Sequence, residues 1–227
     1  SREEALESIE GREPQVAPYN VTNIQNHFRN LELAINEELQ PEWDFVILQS
    51  YRDTEGGMDS PYAEFVPKFA KVIHEAGATP VLYATTPTTQ NAVPLTETPD
   101  KTPVLEETRF LIELAEQTDS LVVPMALVAH RVQTELPEQT LRYVNDGHLN
   151  QPMAYLTACT IHGVLFDESP VGLPVNEVTD NRSKNPAYPG RDADGGPLRF
   201  VLSDELRLNL QRIAWEGLQE YEELSGE

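Results

Sequence analysis

Three short apolar runs, each hemmed in by polar or proline-containing sequence, set the strongest limit on what this chain can fold into. They are WDFVILQS (43–50), TPVLYATTP (79–87) and SLVVPMALVA (120–129), the last running on into a short helix. Runs that are apolar on nearly every position are strands buried on both faces; a strand with one wet face would alternate. The stretches between and after them carry helical periodicity: YAEFVPKFAKVIHEAGA (62–78), PVLEETRFLIELAEQ (103–117) and QPMAYLTACTIHGVLF (151–166). Gly77 closes the first of these helices, and Pro103 and Pro152 suit the first turns of the other two. Pro67 predicts a kink, or a helix that starts there. Strands alternating with helices make an α/β domain with a mainly parallel sheet, in which chemistry collects at the C-terminal strand ends. Here those ends are LQSYRD (48–53), ATTPTTQN (84–91) and VPMALVAHR (123–131).

The rest of the chain fits one domain over 1–227. After a polar lead-in (1–20), VTNIQNHFRNLELAINEEL (21–39) carries a helical stripe through Ile24, Phe28, Leu31, Leu33 and Ile35. Residues 86–102 read as an exposed loop. The segment 167–202, rich in Pro, Gly, Asn and Asp, reads as an extended surface crossing. A last helix, 203–224, opens on Ser203 as its cap and turns Leu206, Leu210, Ile213 and Leu218 inward. Three strands are fewer than a doubly wound sheet needs, and the opening reads as the continuation of a helix. The expectation is that the first strand–helix unit of the sheet is missing from this chain.

Charge narrows the choice of partner. The formal net charge is −22, with 38 acidic against 16 basic residues. Such a surface repels nucleic acid and anionic membranes, so neither is expected as a partner, and it reads as a device for solubility or a salty habitat, with specific binding of a cation as the alternative. No window approaches the roughly 18 unbroken apolar residues of a membrane span. The opening SREEALESIEGREP is acidic and polar, unlike a signal or transit peptide. Cys159 is the only cysteine, has no disulfide partner within the chain and sits among apolar helical residues, where packing is its expected role.

One turn stands out. In RYVNDGHLNQPMAYLTAC (142–159) a histidine, His148, sits in an Asn-Asp-Gly turn directly before an apolar helix. A turn aims the ring, a carboxylate lies beside it and a helix steadies the loop. That is how a general base is commonly held.

In order along the chain, WDFVILQS, GATPVLYATTP, LVVPMALVAHRV, DGHLNQPMAYLTAC and LFDESPVGLP resemble the SGNH (GDSL-type) hydrolase superfamily. The nearest branch is the bacterial one with a D-x-V-x-L-Q strand. The likeness covers about residues 40–175, with the last helix as an extension. It implies a flavodoxin-like three-layer α/β/α fold and serine esterase chemistry on small-molecule or carbohydrate esters, often acetylated, with no metal and no organic cofactor. It also implies an exported or periplasmic setting. The family's base follows an Asp-x-x-His pattern, and His148 matches the histidine. Asn145 stands where the pattern has Asp, and Asp146 lies one place nearer; Asp146 is the favoured partner, Asn145 the alternative. Gln49 occupies the strand-end position of an oxyanion donor. Ser50 beside it lacks the glycine-flanked turn of a nucleophile. The family's Gly-Asp-Ser or Gly-Asn-Ser turn is absent, so the serine is expected upstream of Ser1.

The remaining candidates carry weaker signals. His27 and His74 read as surface or packing residues, and His162 as core-facing. His130, with Arg131, follows the third strand and could reach the site. No histidine spacing matches a zinc motif. DADGG (192–196) has the start of a calcium loop without its ligand ladder, and reads as a turn. YRDTEGGMDS (51–60) could line the cleft as a lid, with Arg52 pairing Asp53 or a substrate carboxylate, or be an ordinary connection. A rival to the esterase is a non-catalytic carbohydrate- or ligand-binding module in the same cleft. A third possibility is an interaction domain whose acidic surface meets a basic partner.

Overall fold

A computed structural model of the chain describes residues 43–50, 53–84, 89–180 and 185–226. The lead-in, the 21–39 stripe with His27, Arg52, the 85–88 end of the second predicted strand and 181–184 lie outside these residues. From Asp44 onward the chain forms one compact unit.

The three apolar runs are three parallel strands: β1 (Phe45–Ser50), β2 (Thr79–Ala84) and β3 (Leu121–Val123), side by side in that order. Register is continuous from Phe45 opposite Thr79 to Ser50 opposite Ala84. Alternate residues face opposite sides, and β2 is covered on both, whereas β1, at the edge of the described sheet, leaves Ile47 41% exposed and Gln49 exposed, so two-sided burial does not extend to it. Leu82, Ala84 and Val122, with Leu48, pack against α1 (Pro61–Glu75) and α2 (Thr102–Thr118). Val81, Tyr83 and Val123 pack against α3 (Met125–Glu135), α4 (Gln151–Phe166) and α5 (Asp204–Ser225). This two-sided burial is why β2 is apolar along nearly all its length.

Three of the five helix starts, those of α1, α4 and α5, follow capping side chains. Ser60 accepts the Ala63 amide at 3.2 Å and starts α1 at Pro61, so the helix begins before Pro67 and carries that proline inside. Tyr62 ties α1 to the sheet, donating its hydroxyl to the Leu48 carbonyl at 2.7 Å. Gly77, at φ 80°, supplies the left-handed residue after the last turn, as the sequence predicts. Asn150 caps α4 through Met153 N at 3.2 Å, and Ser203 caps α5 through Leu206 N at 3.1 Å. In α4 apolar residues run round the helix rather than along one stripe, although α3, α5 and the sheet cover only part of it and Ala154, Ala158 and Phe166 are exposed.

Two loop expectations need correction. The 167–202 segment is more than a surface crossing. It holds an antiparallel pair, β4 (Glu177–Thr179) with β5 (Arg199–Val201), and it buries Asp180, Asp192, Ala193 and Leu202. No alternating pattern announces strands of three residues. Gln211, fully buried on α5, secures the segment's start. Its amide donates to Tyr155 Oη (2.8 Å) and the Leu173 carbonyl (2.9 Å) and accepts from Gly172 N (3.0 Å). Within the polar 86–102 stretch, Thr89 and Gln90 are buried rather than exposed, because Gln90 and Asn91 present their carbonyls to the loop that carries His148.

Candidate active site

The His148 loop is a chain reversal fixed at its base. Leu141 N donates to the Asn91 carbonyl at 2.9 Å, and Arg142 Nε to the Gln90 carbonyl at 2.9 Å. Arg142 bridges Leu149 in antiparallel fashion, and Tyr143 N donates to the His148 carbonyl at 3.1 Å. Residues 144–147 are thus the tip, and the strand returning from it ends in Asn150, the cap of α4. Asn150 also donates its amide to the Thr140 carbonyl at 2.8 Å. His148 lies two residues ahead of a helix cap that is itself locked to the loop's base.

Asp146 and His148 meet at this tip. One carboxylate oxygen, Oδ1, accepts the His148 backbone N–H at 3.0 Å and also makes a short contact with ring atom Nδ1. A carboxylate oxygen that accepts from Nδ1 places the hydrogen of the neutral ring there and leaves its lone pair on Nε2. Both side chains are open to solvent, 67% for His148 and 40% for Asp146. Asn145 turns elsewhere. Its backbone N–H and its side-chain amide both donate to Asp194 Oδ1, at 2.8 and 3.0 Å, while Val144 N donates to Asp194 Oδ2 at 2.8 Å.

Asp194 belongs to the DADGG stretch, which is a turn organised by Asp192. Asp192 Oδ1 accepts from Asp194 N (3.0 Å) and Gly196 N (2.6 Å). Its other oxygen receives the Gln151 amide at 3.4 Å. Among the described residues no group of three or more His, Cys, Asp or Glu side chains is placed to hold a metal ion.

The tip opens onto a cavity of about 710 Å³ at the C-terminal ends of β1 and β2. Gln49 and His148 line it together. Gln49 lies opposite Tyr83 in the sheet register, and Tyr83 lines the cavity too. Burial pushes the Tyr83 phenol up, offset in part by a hydrogen bond with Thr157, so it stays a neutral hydroxyl. Tyr143 donates to the buried Asp180 Oδ2 at 2.9 Å, and both residues form part of the wall. Amide and hydroxyl residues are thus frequent in the lining, but most of the surface it presents to the cavity is apolar.

Of the other expected candidates, Ser50 pairs with Ala84 at the end of β1, and its side chain lies outside the described set. His130 is buried on α3 with Nε2 at 3.1 Å from the Pro99 carbonyl, and it is not among the cavity's lining residues. His74 bonds the Thr118 carbonyl at 2.9 Å, a link between helix ends. His162 is half-buried against Phe166, ring centroids 5.2 Å apart, rather than core-facing; the core side of α4 there is Gly163, pressed against α5. Cys159 is buried, and burial pushes its thiol up to about 11. Gly57–Asp59 of the 51–60 loop form a short 3-10 turn leading into α1.

Sequence reading missed Tyr143, Asp180, Thr157 and Asp194. Tyr143 had a local signal, since it precedes the tip by one residue. Asp180 and Asp194 had none, lying in irregular backbone that reaches the site only through tertiary contacts. Family models, curated proteins and solved structures were all compared with the chain, and none matches it.

Proposed function

We propose that this cavity is the active site of a serine esterase-type hydrolase of the SGNH kind, on a flavodoxin-like three-layer α/β/α fold, acting on small-molecule or carbohydrate esters. The observation that carries the reading is the Asp146–His148 couple facing the same cavity as Gln49, at the C-terminal ends of parallel strands. In this reading Nε2 of His148 takes the proton of a serine supplied from beyond the described residues. That serine attacks the ester carbonyl. Asp146 holds the Nδ1–H tautomer and stabilises the imidazolium that forms. The Gln49 amide is a donor for the tetrahedral oxyanion, a contribution whose removal typically costs about 100- to 1,000-fold in rate. The alcohol leaves with the proton from His148, and water, deprotonated by the same ring, releases the acid. No cofactor takes part.

A second reading has its own support. Among the described residues no hydroxyl is hydrogen-bonded to His148 Nε2, and the mostly apolar wall with a few polar side chains suits a non-catalytic module that binds a carbohydrate or other ligand. One experiment separates the two: fluorophosphonate labelling of the protein expressed from its complete reading frame, with peptide mapping and His148→Ala as the control. A single labelled serine, lost in the control, supports the esterase. A folded protein that takes no label overturns it in favour of binding.

A further inference from the structure

We propose that Asp194 is the positioning residue of this site: its carboxylate, on an arm some fifty residues away in sequence, holds the 144–148 tip in the shape that brings Asp146 to His148 Nδ1. The inference rests on the esterase reading for its catalytic consequence, but its structural claim stands separately. Three donors converge on Asp194: the N–H groups of Val144 and Asn145 and the Asn145 amide, all within 2.8 to 3.0 Å. Two successive backbone N–H groups splayed onto the two oxygens of one carboxylate fix the tip's entry angle. Only an acceptor-only group serves three donors; an asparagine would turn an N–H toward one of them. One residue further on, the chain has to set Asp146 Oδ1 under both the His148 N–H and the ring. Among the described residues the tip has no other support of this kind. Gly147 has open space around it and no positive φ, so the turn is not held by a backbone conformation that only glycine adopts. Val144 is 60% exposed, so packing does not hold the tip either.

The arm is equally prepared. Asp192 fixes the Asp194 amide, and Gln151, in the first turn of α4, donates to the Pro197 carbonyl at 3.2 Å as well as to Asp192. The same helix whose cap follows His148 thus anchors the arm that bears Asp194. Tip, helix and arm close a ring, and Asp194 is its last link.

The test is the tautomer of the His148 ring, read from long-range proton–nitrogen correlation spectra of the neutral imidazole in folded, labelled protein. In the wild type Nδ1 bears the hydrogen. In Asp194→Ala the signals move toward the Nε2–H form that a free imidazole prefers, and Asp194→Asn falls between. General destabilisation does not move a tautomer in molecules that remain folded. Asp194 is itself exposed, so the isosteric Asp194→Asn serves if the alanine variant does not fold. For the esterase, turnover falls on the order of 10- to 100-fold with KM held, the cost of a base displaced by a fraction of an ångström to 1 Å. An unchanged Nδ1–H tautomer in both folded variants overturns the proposal. A protein that takes fluorophosphonate but shows that unchanged tautomer loses the role of Asp194 and keeps the esterase. One that takes no label but shifts its tautomer loses the esterase and keeps the role.

Discussion

Gly217 and Gly163 lie on two helices that meet face to face, and the same substitution at each has a different consequence. Ala in place of Gly inside a helix gains about 1 kcal/mol of propensity. At Gly217 the new Cβ would stand 2.6 Å from Val128 Cγ2 and 3.3 Å from Val128 Cα. Val128 is fully buried on α3, and a helical valine is confined to essentially one rotamer, so it does not swing aside. Backbone at 3.3 Å means that α3 and α5 must part by a few tenths of an ångström. Overpacking of this kind costs about 1–3 kcal/mol, which leaves Gly217→Ala roughly 1 kcal/mol less stable. At Gly163 the Cβ meets the tip of Leu218, a flexible end, with Trp215 carbons no nearer than 3.6 Å. Leu218 borders a recess of about 250 Å³ and has somewhere to go. A strained rotamer costs about 0.5–1.5 kcal/mol, close to the propensity gained, so Gly163→Ala is near neutral. Thermal and urea melts of both variants decide the matter. Gly217→Ala lowers Tm by about 2–4 °C at this chain length, Gly163→Ala hardly moves it, and neither changes the urea slope. Adding Val128→Ala to Gly217→Ala costs less than the two separately. A Gly217→Ala protein as stable as the wild type would refute the argument that close helix approach, not propensity, fixed glycine there.

Gln211→Leu keeps the volume of a buried side chain but strips hydrogen bonds from Gly172 N, the Leu173 carbonyl and Tyr155 Oη; a loss of several kcal/mol, at about 1–3 per unsatisfied group, is expected in urea melts. Asn145→Asp sets a second carboxylate against Asp194 and removes a donor, so it lowers Tm more than Asn145→Ala does, and Asp194→Asn in the same chain recovers part of the loss. Burial pushes the Glu216 carboxyl up, but hydrogen bonds and charge from Arg212 and Arg131 outweigh it and hold the group low. Its stabilisation is complete above the ordinary value of 4.5 and is lost as pH falls below it, so Glu216→Gln loses less stability between neutral and acid pH than the wild type. Cys159, its thiol pushed up to about 11, stays unalkylated by iodoacetamide at pH 8 until urea unfolds the chain, as mass spectrometry of the intact protein will report.

The elements easiest to read in the sequence are those where burial imposes a period. β2 is apolar along nearly all its length because helices cover both faces, and β1 shows the same run although Ile47 and Gln49 stay exposed among the described residues. Ser203 marks a helix start because its side-chain oxygen meets an otherwise orphaned N–H. Two failures have the same root. Three-residue strands such as Glu177–Thr179 are too short for alternation to show, and the contacts of the 167–202 arm are made by carboxylates to backbone N–H groups, which leave no pattern in residue type. His162 went astray for a different reason. An apolar helix suggests burial at every position, yet the face nearest α5 is given over to a glycine so that the helices can approach, and the histidine is turned outward to Phe166.

The placement of the carboxylate at the tip brings these threads together. A partner three residues before a histidine needs a turn wide enough to bring its side chain round to the ring. Here the tip is narrower, because Tyr143 already bonds the His148 carbonyl and Arg142 already bridges Leu149. In so tight a reversal the side chain two positions back closes on its own neighbour's N–H, as Asx residues do in turns, and the same oxygen then lies under the ring. The residue three positions back is left pointing outward, where a carboxylate would only meet Asp194. An amide there, with hydrogens to give, is what that position can use. Asn145, Asp146 and Asp194 are therefore one arrangement rather than three independent choices: moving the ring's partner inward by one residue makes a donor useful at 145 and an acceptor on the arm necessary.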